Sequence, residues 1–112
     1  MTMLSVDCTR LLDANTVLCH PQTVRARLMS KPLVLSKHAA CRMDCRRITL
    51  PQVESVLAHG RLDSRRSDPA SLPCPRFALY EGSTRIIFAD CKQSTNVVTA
   101  IDMEISHPCG PC

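Results

Sequence analysis

Three side chains that could act on a phosphodiester recur at helical spacing in the middle of the chain. His38, Arg42 and Arg46 lie four residues apart, so a helix would place one imidazole and two guanidinium groups on the same face. Cleavage of RNA without a metal needs a base for the 2′-hydroxyl proton, an acid for the leaving oxygen, and cations for the crowded phosphorus. Histidine suits the proton transfers and arginine suits the developing charge. We therefore predict these residues as catalytic, together with Lys92 from the expected sheet.

A structural alternative stays open for the same residues. His38 would then hydrogen-bond between helix and sheet, and Arg42 would pair with a carboxylate such as Asp90 or Asp102. Further partners for the catalytic set could come from the sheet, at Tyr80, Arg85 and Thr99.

Cysteines form the second candidate constellation. Cys41 and Cys45 stand one helical turn apart, and Cys109 and Cys112 form a Cys-x-x-Cys motif, the commonest half of a zinc site. If the tail folds back onto the helix, these four thiolates could bind zinc; an iron–sulfur cluster has no characteristic spacing here. Alternatively, some cysteines are small buried hydrophobes, or the terminal pair forms a disulfide. Substitute or additional ligands would be Cys74, Cys91, His107 and the pair Cys19-His20.

Charge is concentrated in one part of the chain. The net charge is +4, from 14 basic and 10 acidic residues, and residues 33–66 hold seven basic and three acidic ones. A local excess of this kind is typical of a surface that meets an anionic partner, although a merely solvated Arg-rich surface is the alternative. With one tyrosine, two phenylalanines and no tryptophan, the chain lacks the rings for a stacked-aromatic nucleic-acid platform.

Length and motif content limit the remaining function classes. A chain of 112 residues is the size of one domain. It has only three glycines, far apart, and no phosphate-binding glycine loop, His-Glu-x-x-His or Gly-x-Ser-x-Gly motif, so nothing supports a nucleotide hydrolase or a zinc protease. We expect no membrane span and no secretory signal, because Asp7, Arg10 and Asp13 interrupt the first apolar stretch. The eight cysteines are then expected in a reducing cytoplasm.

Cap and periodicity signals predict two helices. Ser36 is suited to cap a helix that runs to about Arg46. Thr49 and Gln52 match a capping box, and the apolar stripe that follows it predicts a second helix ending at Gly60.

The second half of the chain predicts an antiparallel meander. Residues 63–76 are predicted as a loop, and Arg76–Glu81, Thr84–Asp90 and Val97–Met103 as strands. On the last strand, Val97, Thr99, Ile101 and Met103 are expected to face one side. The predicted fold class is α+β, with two helices packed on a small antiparallel sheet of three to four strands. We expect an N-terminal extension at 1–32, with a short helix over Thr23–Ser30, the domain at 33–103, and a cysteine-containing tail at 104–112.

Several short motifs resemble a family of prokaryotic proteins of unknown function that is similar to the BrnT and RelE-type toxins. They are Ser36-Lys37-His38-Ala39-Ala40-Cys41-Arg42-Met43, Arg46-Arg47-Ile48, Val53-Glu54-Ser55-Val56-Leu57 with Gly60, and Val98-Thr99. The resemblance implies a compact RNase-like α+β fold, RNA as a target, an antitoxin as a partner, and no cofactor. Arg47, where the family often has glycine, the added cysteines and the terminal motif depart from the pattern.

Three functional hypotheses follow from these features. The leading one is a small RNA-directed protein of the RelE-like toxin type, acting as a metal-independent endoribonuclease. The second is a non-catalytic zinc-binding or thiol-redox protein built on the cysteines. The third is a protein-interaction module whose basic face binds a partner. The sequence leaves the oligomeric state open.

Overall fold

A computed structural model describes residues 8–10, 17–104 and 109–112, which contain three helices and seven strands. The helices are α1 (Pro21–Met29), α2 (Lys37–Arg46) and α3 (Leu50–His59). None of them is long and apolar enough to cross a membrane. The strands are β1 (Cys8–Arg10), β2 (Val17–Cys19), β3 (Leu33–Leu35), β4 (Arg61–Asp68), β5 (Arg76–Glu81), β6 (Thr84–Asp90) and β7 (Thr95–Asp102).

Five of the strands form one mixed sheet in the order β3-β7-β6-β5-β4, and β1 pairs with β2 separately. Only the β3–β7 pair is parallel. The α+β class is therefore confirmed. The sheet is larger than the predicted three to four antiparallel strands. Helix α1 matches the short helix expected over Thr23–Ser30, and it packs as a third helix beside the two predicted on the sheet. The short strand β3 pairs with β7 only from Thr95 to Val97, so no described strand lies beside the rest of that edge of β7.

The three helices pack on one face of this sheet. Strand alternation places Phe77 and Leu79 on that face, and both are buried. Ile86 and Phe88 stand beside them on β6. They form one apolar core with residues from every helix, among them Val24, Leu28, Ala39, Met43, Val53 and Val56.

Both predicted helix starts are confirmed. The Ser36 hydroxyl accepts a hydrogen bond from the Ala39 amide at 3.0 Å. Thr49 and Gln52 form the reciprocal capping box that opens α3. Gly60 ends α3 as predicted, but in an extended conformation (φ −67°, ψ 160°). It must be small because an added Cβ would overlap the Val56 carbonyl oxygen.

Strand β4 corrects the prediction of a loop beginning at residue 63. Its sequence is almost entirely polar, and its side chains do not alternate between apolar and polar. It becomes a strand because its backbone pairs with β5 from Arg61 to Asp63, and again at Asp68 after an irregularity. The hydroxyl of Ser67 bridges part of that irregularity, accepting from the Ala78 amide at 2.9 Å and donating to the Asp63 carbonyl at 2.7 Å.

A register shift in β7 corrects the predicted side-chain pattern. Phe88 pairs with Val97, whereas the preceding residue Ile87 pairs with Thr99, so Val98 is an extra residue. Val97 consequently faces the core, and Thr99 and Ile101 face the opposite side. The sequence pattern placed Val97, Thr99 and Ile101 on one side, because every second residue of a regular strand faces the same way. The extra residue Val98 breaks that rule, and the pattern of apolar and polar residues gives no sign of it.

Helix α1 is anchored to the sheet by a buried carboxylate. Asp90, only 5% exposed, forms ion pairs with Arg27 (2.9 Å) and with Lys31. The Thr95 hydroxyl also donates to the Leu28 carbonyl at 2.7 Å. Asp90 is thus satisfied by the segment around α1 rather than by Arg42, the partner considered from the sequence. The division of the chain at residue 32 stays a prediction.

We expect Gly60→Ala to lower the free energy of unfolding by about 1–3 kcal/mol, because the new methyl group must displace backbone at the junction of α3 and β4. Urea denaturation would measure the change. Gly110→Ala is the matched control, since an added Cβ there meets no atom within 4 Å. Equal midpoints for both variants would contradict this account of Gly60.

Candidate nucleic-acid interface

The sheet face opposite the helices carries polar and basic side chains. We define this open face by the side chains of Arg76, Tyr80, Arg85, Asn96 and Thr99. Tyr80 is the direct cross-strand neighbour of Arg85, and Arg76 and Asn96 both flank Ala89. The sheet residues predicted as partners of the catalytic set, Tyr80, Arg85 and Thr99, therefore share one face of the sheet.

Arg85 is held firmly on the open face. Its side chain is 13% exposed and lies 3.8 Å from the carboxylate of Asp63 on β4. The same guanidinium donates to the sulfur of Met103 at 3.6 Å. Its Nε atom is buried and has no hydrogen-bond partner in the described part of the chain. Arg85 therefore contributes a fixed positive charge, partly balanced by Asp63.

His38 lines a cavity of about 340 Å³ at one end of the open face. Arg76 and Asn96 of the open face line the same cavity, and the Cys74–Cys91 disulfide forms another wall. His38 is half-buried. An imidazole and a guanidinium from different elements thus line one concave site, a combination that can bind a phosphate and transfer a proton.

The other two members of the helical set lie along the edge of β7. Arg46 donates to the Ala100 carbonyl at 2.5 Å, where β7 extends past β3. It thereby satisfies a backbone acceptor that the edge of the sheet leaves without a strand partner. Arg42 is half-buried one turn after His38. Arg46, one of the residues predicted to contact phosphate, is therefore already hydrogen-bonded to the edge of the sheet.

Lys92 lies apart from the His38 cavity. It is exposed and lines a second cavity with Arg27, Lys31 and Asp90. The two cavities share only the walls formed by Pro73 and the Cys74–Cys91 disulfide. The four residues predicted as catalytic are thus spread along one side of the molecule and do not converge on a single point.

The predicted zinc ligands do come together, but as disulfides. Cys41 pairs with Cys112 (S–S 2.08 Å) and Cys45 with Cys109 (S–S 2.10 Å), so the tail folds back onto α2. A sulfur in a disulfide offers no thiolate to a metal. Within residues 8–10, 17–104 and 109–112, no group of three or more His, Cys, Asp or Glu side chains is arranged to hold a metal ion. These cysteines therefore do not support the predicted zinc site, and His107 lies outside the described residues.

All eight cysteines are paired, since Cys8–Cys19 and Cys74–Cys91 complete the set. Four disulfides in a small domain are typical of an oxidising compartment. This pairing argues against the reducing cytoplasm predicted from the sequence. The sequence argument relied on the absence of a secretory signal, which says nothing about where each cysteine lies in space.

Arg76 is a site residue that the sequence analysis did not select. A usable signal was present, because Phe77 and Leu79 are apolar and alternate with Arg76 and Tyr80 along β5. Alternation alone would have placed these two polar residues on the solvent face. The proximity of Arg76 to His38 depended on how α2 meets β7, which the strand pattern does not contain.

The fold and the site together define a small two-layer α+β protein with an arginine-rich open sheet face. The chain belongs to the family described as a domain of unknown function (DUF4258), because the model of that family matches residues 35–102. The match runs from β3 to the end of β7 and includes α2, α3 and the open face. No curated protein and no solved structure shows a significant match.

The disulfide pairing can be tested chemically. We expect iodoacetamide to label no cysteine in the denatured, unreduced protein, and all eight after reduction. Protein purified without chelator should then contain no stoichiometric zinc or iron by elemental analysis. About one metal ion per chain, with four thiols that become reactive only on chelation, would instead indicate a thiolate site.

Proposed function

We propose that this protein is an RNA-directed protein of the RelE-like toxin type, which binds RNA on its open face and cleaves it without a metal. One observation carries the proposal: His38 and Arg76 line the same cavity, at the end of a face that also holds Arg85. Metal-free phosphodiester cleavage requires proton transfer beside a fixed positive charge, and these side chains supply both.

The residues divide into distinct roles in this proposal. His38 accepts the 2′-hydroxyl proton as that oxygen attacks the phosphorus to form a 2′,3′-cyclic phosphate, and it returns the proton to the 5′-oxygen as the phosphorus–5′-oxygen bond breaks. Arg76, which lines the cavity with His38, contacts the phosphate that is cleaved, since arginine can donate two parallel hydrogen bonds to its oxygens. Arg42, one turn after His38 on α2, contacts a neighbouring phosphate. Arg85 and Lys92 contact flanking phosphates on either side of the cavity. Arg46 acts as a positioning residue, because its guanidinium joins α2 to the edge of β7.

A protein partner is a second candidate, favoured by the outer edge of the sheet. β3 is an edge strand, and Val34 and Leu35 on it are 46% and 37% exposed. An exposed apolar edge strand suits the addition of a strand or an apolar segment from another protein. In this view a partner with acidic and apolar residues, such as an antitoxin, binds along β3 and α2.

We expect His38→Ala to abolish RNA cleavage while leaving the melting temperature close to that of the wild type, because His38 is only half-buried and is not one of the buried residues that form the apolar core. Gel analysis of a labelled single-stranded RNA at low salt, with EDTA present, would measure cleavage. Lys37→Ala is the control, because Lys37 is an exposed neighbour on the same helix. It should cleave at nearly the wild-type rate.

Binding of RNA and its cleavage can be measured separately in the same variants. Arg42→Ala and Arg76→Ala should weaken RNA binding as well as cleavage, and raised salt should weaken binding by wild-type protein, as phosphate contacts require. Unchanged cleavage by His38→Ala would remove that residue from the mechanism. If oxidised wild-type protein neither cleaves nor binds RNA at low salt, the RNA-directed function itself is wrong.

A further inference from the structure

A further cleft, of about 840 Å³ and separate from the His38 and Lys92 cavities, lies where the amino end of α1 meets the junction of α3 and β4. It is larger than the His38 cavity and falls within the usual volume range of small-molecule sites. Its charged and aromatic walls come from three separate parts of the sequence, with His20 and Arg25 in the first, His59 and Arg61 in the second, and Tyr80 in the third.

Among the residues that the structure describes, the cleft is lined by basic groups and by no acidic group. Two imidazoles and two guanidiniums reach it, and none of the described lining residues is Asp or Glu. His20, His59 and Arg61 are exposed, and no hydrogen bond or ion pair with a described residue occupies their side chains. Charges of one sign on a concave wall raise the local electrostatic potential, which attracts an ion of the opposite charge.

Arg25 changes the electrostatic character of one wall. The carboxyl end of α3 would by itself present carbonyl oxygens and a partial negative charge to the cleft. Arg25 instead covers that end: its Nε donates to the Leu57 carbonyl at 3.1 Å, and its Nη2 donates to the Gly60 carbonyl. A wall that would have repelled an anion therefore carries a fixed guanidinium.

The amino end of α1 also lines the cleft. Its cap residue, His20, makes no side-chain hydrogen bond to the first turn, and that turn contains no acidic residue. Gln22 and Thr23 of the same turn line the cleft. Backbone amides at such a helix start add donors for an oxyanion beside the basic side chains.

We propose that this cleft binds a nucleoside monophosphate, with the phosphate held between His59, Arg61 and the first turn of α1. A phosphomonoester matches the excess of donors and positive charge. Leu62 also lines the cleft, as does Tyr80 at the nearby end of the open face, and these two residues offer a flat base an apolar surface and a ring. The site is separate from the His38 cavity and does not depend on RNA cleavage there.

Titration calorimetry of the oxidised full chain tests this site with three probes: adenosine monophosphate, adenosine and inorganic phosphate. We expect adenosine monophosphate to bind, inorganic phosphate to bind more weakly, and adenosine to show no binding. Arg61→Ala and His59→Ala should each weaken binding of adenosine monophosphate, by about tenfold for the arginine, which donates charge-assisted hydrogen bonds.

Arg66→Ala is the matched control, because Arg66 is an exposed arginine on the same strand that does not line the cleft. Its affinity for adenosine monophosphate should equal that of the wild type. Equal weakening by Arg61→Ala and Arg66→Ala, binding of adenosine as tight as that of its monophosphate, or no binding of the monophosphate would each overturn the proposal. His59→Ala should cleave RNA like the wild type, so the two sites can fail independently.

Discussion

Burial of one face of β5, β6 and β7 is the constraint on which the other features depend. Each strand turns alternate side chains to that face, and Phe77, Leu79, Ile86 and Phe88 there are shielded from water by the three helices. Because side chains alternate, the same strands must present their remaining residues on the other side. Arg76, Tyr80 and Arg85 therefore lie together as a consequence of how the core is made.

The position of α2 links this sheet to the candidate chemistry. Ser36 starts the helix directly after β3, so its first turn lies beside the edge of β7. His38 consequently reaches the cavity that Arg76 also lines. Further along the helix, Arg46 satisfies a carbonyl of the uncovered part of β7. The face of α2 that carries His38, Arg42 and Arg46 thus contributes both to the stability of the sheet edge and to the proposed contact with phosphate.

Covalent links then hold the periphery to this frame. The disulfides of Cys41 and Cys45 join α2 to the tail across sequence separations of 71 and 64 residues. The first of these links to form closes a long loop and restricts the unfolded chain by about 4 kcal/mol in the chain-entropy model, and the second, nested with it, adds less. They supplement the modest apolar core that a chain of this size can form. Oxidation is accordingly part of the folded state, and both proposed sites belong to the oxidised protein.

The amino-acid sequence by itself determined the local features. The caps at Ser36 and Thr49, the two central helices and the β5–β6 hairpin follow from short-range hydrogen bonds and side-chain periodicity, so the pattern alone predicts them. The sequence also marked Cys41, Cys45, Cys109 and Cys112 as two pairs of suitable spacing, on the condition that the tail folds back onto the helix, and that condition is met by the fold.

Only the tertiary structure decided what depends on distant partners. β4 is a strand because β5 supplies its hydrogen bonds, and the bulge at Val98 reverses the sides on which the residues around it lie. The meeting cysteines are bonded to one another, which no spacing rule distinguishes from a shared metal. His20 and His59, far apart along the chain, line one cleft because α1 packs beside α3. Such contacts are long-range, and periodicity carries information only about neighbours in sequence.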